Sequence, residues 1–486
     1  MKLRKRYVLI LYPAFFSVFL GCYNKKSLAQ EPNISTCRCG DKFNSLYKKV
    51  KEDYIAYYLD KAKRDSFNSV VIKLIEKVQD ANEIDCEKYM QQALDVFHDG
   101  HLFTITYPKT GDTLLMKSYI KEIKARQITV GEVFKYFKKQ TKYAPIEGIY
   151  TDGDLLYAII KSPGKSITSY KFVAFSFSKN AKISDSAHYK LMLNELAEKN
   201  KFEGIFLNRY SLPRYTRAFL FKDNELLATW GGILWQRISI NNFKELQNAN
   251  LVNPFIPSVK KIDDESVLVT TPSFLVDRNK FDSVIKLNEK IISNSKYLVI
   301  DLRGNIGGNN VYRNLLNFYI TLDTLKIDGS SLVLSSEDNY NYYKSSLPDS
   351  TDPMLAFMKL NPGKIYTRTT NSMRVYSIAN NKIEKVAIIT DRGDMSSAEA
   401  FILQSKHLSN KVILVGQPTG GVIDYTSINT IKLACPETLF GYPTGTIHDK
   451  LPLDGYNQTG IIPDIVLHKI SYLEIVEILK NKKKAL

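Results

Sequence analysis

The chain has 486 residues, too many for one ordinary domain, so two or three are expected. Hydrophobic residues make up 44% and charged residues 24%, which excludes general disorder. The net charge is +17, but the lysines fall in ones and twos (Lys48-Lys49, Lys138-Lys139, Lys260-Lys261) without a nucleic-acid-binding motif. No nucleic-acid partner is expected: the charge reads first as solvated surface and second as membrane proximity.

At the N-terminus, Lys2, Arg4, Lys5 and Arg6 precede an apolar stretch from Tyr7 to Leu20, followed by Gly21-Cys22. The charged start, the short apolar run and the small residue before a cysteine resemble a bacterial lipoprotein signal. Residues 1–21 are expected to be a signal peptide, with Cys22 lipidated as a membrane anchor and the protein exported to the cell envelope, facing the periplasm or the cell surface. The rival reading is a plain signal peptide cut elsewhere. No other segment has the length and apolarity of a transmembrane helix. Exported thiols meet an oxidising environment. Cys86 is expected to bridge to Cys37 or Cys39, since a metal site would need a fourth ligand and better spacing. Cys435, in an apolar strand-like run, is expected to be a buried small side chain.

Residues 41–100 carry helical periodicity: Phe43, Leu46, Tyr47 and Val50, then Val70, Ile72, Leu74, Ile75 and Val78, then Tyr89, Ala93, Val96 and Phe97. From there to about 245 short runs rich in Ile, Tyr, Phe and Thr alternate with turn residues, as in Gly148–Thr151, Leu155–Ile160, Lys171–Ser176 and Ala218–Phe221. One helix is expected within it, at Ala187–Lys199. After about 250 the rhythm is strand, helix, strand: Val267–Thr270, Asn279–Ser293, Tyr297–Ile300, Val311–Thr321, a long polar connection over 323–380, then Val386–Thr390, Ser397–His407 and Val412–Val415. This alternation predicts an α/β layer with parallel strands, whose active groups gather at the strands' carboxyl ends. The expected organisation is α/β and multi-domain: signal peptide 1–21, N-terminal helical domain 22–110, β-rich insert 111–245 and α/β core 246–486.

Two segments at strand ends carry chemistry. Asp301-Leu-Arg-Gly-Asn-Ile-Gly-Gly308 follows one strand, and Asp391-Arg-Gly-Asp-Met-Ser-Ser-Ala-Glu-Ala400 follows another and opens a helix. A serine at a strand-to-helix turn beside glycine N–H groups supplies what acyl transfer needs, a nucleophile and an oxyanion hole. Ser396 also suits an N-cap, and Ser397 is a rival nucleophile. Gly307 or Gly308, with the N–H of Ser397, are the candidate oxyanion donors. Asp301 and Arg303 read as a structural brace.

The first segment looks like the signature of tail-specific, C-terminal-processing serine proteases. Ser396-Ser-Ala-Glu399 is similar to their nucleophile segment, Gly416-Gln-Pro-Thr-Gly-Gly421 to the loop that follows, and Gly460-Ile-Ile-Pro-Asp464 to their closing element. Asp99-Gly-His101 is similar to the histidine segment of the tricorn-core and retinoid-binding-protein branch. The leader and Cys37-Arg-Cys39 resemble exported Bacteroidetes-type members. The resemblance implies a core of ClpP/crotonase-like type, Ser396 as nucleophile and His101 as general base, with His98 as competitor. Val422 stands near the lysine of serine–lysine members, which favours the serine–histidine branch. Gly100 stands where that branch has a serine, and Asn457 near its orienting carboxylate. Asp99, Asp424 or Asp454 are the candidate substitutes. The implied function is a serine-type endopeptidase acting on peptides or unfolded protein ends, with no metal and no organic cofactor. The alternatives are a catalytically silent relative that binds peptide or apolar ligand in the same cleft, and a glycan- or membrane-binding lipoprotein that uses the aromatic insert.

Overall fold

The computed structural model describes residues 37–106, 128–162, 170–207, 213–229, 233–240, 243–248, 251, 253–347, 351–378, 382–435, 438–451, 455–457 and 459–481. The leader, Cys22 and Asp454 lie outside these residues. None of the described helices is long and apolar enough to cross a membrane. The described residues form two compact units, one within 37–106, 258–270 and 274–481, the other within 128–257 and 271–273.

In the first unit a six-stranded sheet runs in the order Ser258–Lys261, Ser266–Thr270, Tyr297–Asp301, Lys385–Thr390, Val412–Gly416, Ile465–Val466. Only the first pairing is antiparallel. The parallel strands are apolar on both faces because both are covered. Val267, Leu298, Ile300 and Ile388 pack with Phe281 and Ile285 of the helix Arg278–Leu287 and with Phe401 and Ile402 of the helix Ser397–Leu408. Leu268, Val299, Ala387 and Val415 pack on the other face with Ile475, Val476 and Leu479 of the helix Tyr472–Asn481.

The periodic residues near the N-terminus form helices at Cys39–Asp53, Lys61–Leu74 and Glu83–Leu94. The side chains of Asp60 and Asn82 cap the second and third by accepting backbone N–H bonds. These helices are not a body of their own. Their apolar stripe (Phe43, Val50, Tyr54, Phe67, Met90, Phe97) shares one core with Tyr425, Phe440 and Tyr442, from the strands Tyr425–Lys432 and Thr438–Thr446. Cys39 bridges to Cys86 as one of the two expected pairings, and Cys37 bridges to Cys435. Cys435 is therefore a disulfide partner rather than the simple buried thiol its apolar setting suggested.

Several elements differ from expectation. Residues 323–380 are no loop. Thr324–Leu334 and Ile365–Val375 pair antiparallel over their full length, with helices Glu337–Ser346 and Pro353–Leu360 between them. Ile365–Val375 is a sheet edge with most side chains in solvent, so it carries no apolar alternation to read. Val311–Thr321 yields only the short helix Arg313–Leu316, and Asn279–Ser293 divides at Asn288 into Arg278–Leu287 and Glu289–Asn294.

The second unit holds an antiparallel sheet closed on itself. Gly148–Thr151, Leu156–Lys161, Phe172–Phe177, Ser186–Glu195, Lys201–Leu207, Pro213–Phe221, Leu226–Thr229 and Ile233–Ile238 each pair with the next, and the last pairs with the first. This is an eight-stranded up-and-down barrel. Tyr150, Tyr157, Phe172, Leu191, Phe202, Leu220 and Trp235 form one core, with Tyr157 and Trp235 stacked at 3.9 Å. The helix expected at Ala187–Lys199 is instead the strand Ser186–Glu195. Its helix-forming Leu and Met residues are overridden by pairing on both sides, and Ala187, Tyr189, Leu191 and Leu193 follow the period of two.

Candidate active site

Two neighbouring parallel strands set the site. Tyr297–Asp301 and Lys385–Thr390 pair with Asp301 opposite Ile389, so the loops leaving their carboxyl ends run side by side. Gly304 N–H donates to Asp391 Oδ1 at 2.9 Å, Asn305 N–H to Asp394 Oδ1 at 3.2 Å, and Met395 N–H to the Asn305 carbonyl at 3.0 Å. Asp394 is fully buried. Burial first, and the neighbouring Asp391 second, hold its carboxyl well above the usual carboxylate range. Arg303 forks onto Asp301, with Nε 3.0 Å from Oδ1 and Nη2 3.1 Å from Oδ2, and Tyr472 Oη donates to Asp301 Oδ2 at 2.7 Å. That is the brace the sequence suggested, buried inside the loop.

Ser396 sits where the second loop enters the helix Ser397–Leu408, at φ 54° and ψ −116°. A serine in this sparsely populated conformation is strained, and strain of this kind marks sharp nucleophile-bearing turns. Glu399 holds the turn. Its carboxylate accepts the N–H of Ser396 at 3.0 Å, of Gly421 at 2.9 Å and of Val422 at 2.8 Å, and the Thr419 hydroxyl. Burial pushes Glu399 up to about 7 against the pull of these four donors. One side chain thus joins the strained serine to the loop Gly416–Gly421.

Gly307, at φ +92°, faces the serine. A Cβ there would lie 2.7 Å from the Met395 carbonyl oxygen and 3.0 Å from Ser396 Cβ. Only glycine permits so close an approach in this conformation. Its N–H, however, donates to Asn305 Oδ1 at 3.0 Å, which removes Gly307 from the candidate oxyanion donors. Gly308 remains. Its carbonyl accepts the Ser397 hydroxyl at 2.7 Å. Among the described residues neither the Gly308 N–H nor the Ser397 N–H has a hydrogen-bond partner. The Ser397 hydroxyl is thereby committed to the loop, which tells against Ser397 as nucleophile.

The third component arrives from the N-terminal helices. The turn Asp95–Phe97 ends in His98, which is left-handed (φ 50°) and exposed, and His101 follows. His101 Nε2 lies 3.2 Å from Ser396 Oγ, across 295 positions of sequence. His98 makes no such contact. Asp99, between the two histidines, is buried. Its Oδ1 accepts the His101 backbone N–H at 3.0 Å and its Oδ2 accepts the Tyr54 hydroxyl at 2.8 Å. Gly100 is packed by Val422, whose two methyls would lie 3.0 Å from any Cβ added there. The valine in place of a lysine and the glycine in place of a serine are thus neighbours, and each leaves room for the other.

Asn457 is not brought into the pair. Its backbone N–H donates to Asp424 Oδ2 at 2.7 Å. With its amide nitrogen turned inward, the side chain donates to the Gly421 carbonyl at 2.7 Å and to Asp424 Oδ2 at 3.3 Å. The Tyr456 N–H takes Asp424 Oδ1 at 2.7 Å, and burial raises the Asp424 carboxyl above its ordinary value. Asn457 therefore satisfies a buried acid and does not orient the imidazole. Sequence reasoning named the serine, the histidine and the glycine loop, but gave no role to Glu399, Asn305 or Tyr54. Only Glu399 left a signal, the Ser-x-x-Glu spacing of a helix entry.

An oxygen 3.2 Å from an imidazole nitrogen can pass its proton to the ring as it attacks. Among the described residues there is no cluster of His, Cys, Asp and Glu able to hold a metal ion. Residues 266–467 match the model of Peptidase family S41. Solved structures similar to the chain include the photosystem II D1 C-terminal processing protease (11% identity, 90% of this chain and 94% of that chain covered, TM-score 0.35). The tricorn protease is similar at 12% identity, covering 92% of this chain and 37% of that one, with a TM-score of 0.40. A lipoprotein from Streptococcus agalactiae is similar at 23% identity, covering 46% of this chain and 70% of that one, with a TM-score of 0.29. At these scores the structural likenesses add no weight to the family match. No curated protein matches the chain.

Proposed function

We propose that the protein is an exported serine peptidase that cleaves peptides or unfolded protein ends, with Ser396 as nucleophile and His101 as general base. The observation that carries this reading is the 3.2 Å approach of His101 Nε2 to Ser396 Oγ. A peptide carbonyl settles with its oxygen toward the N–H groups of Gly308 and Ser397. His101 Nε2 takes the Ser396 proton as Oγ attacks, and the tetrahedral oxyanion is held by the two amides. The proton passes from Nε2 to the leaving amine. Water, deprotonated by the same ring, then releases the acyl group from Ser396.

A fluorophosphonate probe tests the reading. Wild type and Ser397→Ala are expected to label, and Ser396→Ala and His101→Ala to stay dark. Labelling that persists in Ser396→Ala overturns the assignment of the nucleophile. An unlabelled wild type identifies the silent, peptide-binding alternative.

Export and anchoring rest on the leader and on cysteine pairing. Four of the five cysteines are joined in two disulfides, leaving Cys22 alone at the end of the apolar run. Metabolic labelling with a radioactive fatty acid is expected to mark wild type in the membrane fraction and to be lost in Cys22→Ala. Wild type free of label and soluble after lysis would remove the anchor.

A further inference from the structure

The Ser396–His101 pair has no orienting acid where the resemblance placed one, because Asn457 is spent on Asp424 and Gly421. On the other side of the imidazole the geometry points to Asp99 as the positioning residue that supplies this carboxylate, with Tyr54 holding it in place. This rests on the peptidase reading above and deepens it.

Asp99 Oδ1 lies 3.4 Å from His101 Nδ1, and its carboxylate is fully buried. The same oxygen accepts the backbone N–H of His101, closing a two-residue turn across Gly100 that fixes the side of the chain on which the ring stands. Oδ2 is pinned by the Tyr54 hydroxyl. Tyr54 is itself fully buried, with its ring edge-on to Phe97 at 5.0 Å and to Tyr425 at 6.0 Å. His101 Nδ1 is buried and has no hydrogen-bond partner. A buried nitrogen left unpaired is costly, and the Asp99 carboxylate oxygen 3.4 Å away is an acceptor for it. Catalytic hydrogen bonds of this kind often tighten only when substrate binds.

The groups facing Asp99 decide the electrostatics. Tyr54 and Tyr425 are neutral donors held far above neutrality by burial, and Asp424 and Asp60 are carboxyls whose charges act in the same neighbourhood. The His448 imidazole also acts on Asp424, in the opposite sense to burial. The cation that Asp99 faces in the reaction is the His101 imidazolium, formed as the ring takes the serine's proton. In the step, the Oγ–H bond breaks and a bond from hydrogen to Nε2 forms. The Nδ1 proton stays on the ring, directed at Oδ1, and the Asp99 carboxylate remains ionised throughout. Asp424 is tied instead to the N–H groups of Tyr456 and Asn457, and no hydrogen bond or ion pair joins it to His101 among the described residues.

The test is the pH profile of fluorophosphonate labelling, with wild type, Asp99→Asn, Asp99→Glu and Tyr54→Phe compared as full chains. Asp99→Asn is expected to slow labelling about 100-fold or more, and to move the acidic limb down by about one pH unit, because the carboxylate stabilises the protonated ring. Asp99→Glu is expected to recover part of the rate and the position of the limb. Tyr54→Phe, which keeps the charge, is expected to lose rate while the limb stays put. A limb at the wild-type pH in Asp99→Asn, whatever its rate, overturns the proposal, since a merely structural aspartate would not set it. Where Asp99→Asn fails to fold, 15N NMR of histidine-labelled wild type decides. A neutral His101 carrying its proton on Nδ1 supports Asp99, and a proton on Nε2 overturns it. Ser396→Ala separates the two levels: if that variant still labels, the peptidase reading fails first and for its own reason.

Discussion

Glu399 is the residue whose chemistry reaches furthest beyond its position in the motif. Three N–H groups and one hydroxyl converge on a carboxyl that sees no solvent, yet burial outweighs them and lifts it from 4.5 to about 7. An acid whose folded value lies above its unfolded one holds protons more tightly in the native state. The stability it confers is full below 4.5 and is lost as pH rises through about 7. The shift corresponds to roughly 3 kcal/mol at most. Asp53, raised to about 6 mainly by burial, acts in the same direction, so wild type alone cannot isolate the effect. Glu399→Gln can. The variant is expected to be less stable, because its NH2 group faces donors. Its deficit relative to wild type should shrink between pH 4.5 and 7, as only wild type loses the protonated carboxyl. Denaturant unfolding at several pH values measures this, and a deficit that stays constant across the range would remove the titration from Glu399. At this scale the sequence was legible where a residue type has few roles. A serine at a strand-to-helix turn and a histidine in an Asp-Gly-His context, chosen over Ser397 and His98 by the family resemblance, are the pair that the fold brings to 3.2 Å. It was silent on Asn305 and Tyr54, because ordinary polar residues acquire a role only from what folds against them.

Elements were legible in proportion to how much of their surface is covered on a regular period. The parallel strands Tyr297–Asp301, Lys385–Thr390 and Val412–Gly416 are buried on both faces and read as continuous apolar runs. The helices from Cys39 to Leu94 read from their stripe. The ribbon Thr324–Leu334 with Ile365–Val375 did not. Its edge strand is rich in Thr, Asn, Ser and Arg, and its register comes from backbone pairing that no side-chain pattern records. Ser186–Glu195 was misread for the opposite reason. Its composition favours helix, and only barrel neighbours on both sides make a strand the better partner for its backbone. The barrel's closure is equally invisible in the chain, since it depends on Ile233–Ile238 returning to Gly148–Thr151. A strand-by-strand reading gives separate pieces and not the ring.

At the scale of the molecule, the helical start belongs to the first unit because it has no face to spare. Its apolar stripe is covered by Tyr425, Phe440 and Tyr442, and it delivers His101 to a serine carried by the distant half of the chain. Two covalent ties reinforce this. Cys39–Cys86 joins the first and last helices of the group, and Cys37–Cys435 ties the chain ahead of the first helix to the turn between the strands Tyr425–Lys432 and Thr438–Thr446. The second tie spans 398 positions, so in the denatured chain it constrains most of the polypeptide. On chain-entropy grounds such a cross-link contributes on the order of 3–5 kcal/mol. Cys435→Ser is expected to lose that amount in oxidising buffer, read as a lower guanidinium midpoint with a steeper dependence on denaturant, because the denatured state is released to expand. Under a reductant that opens both bridges, wild type and variant should unfold alike. Equal midpoints in oxidising buffer would mean that the helical start is held by its buried stripe alone, and that the distant cysteine contributes nothing to bringing the histidine to the serine.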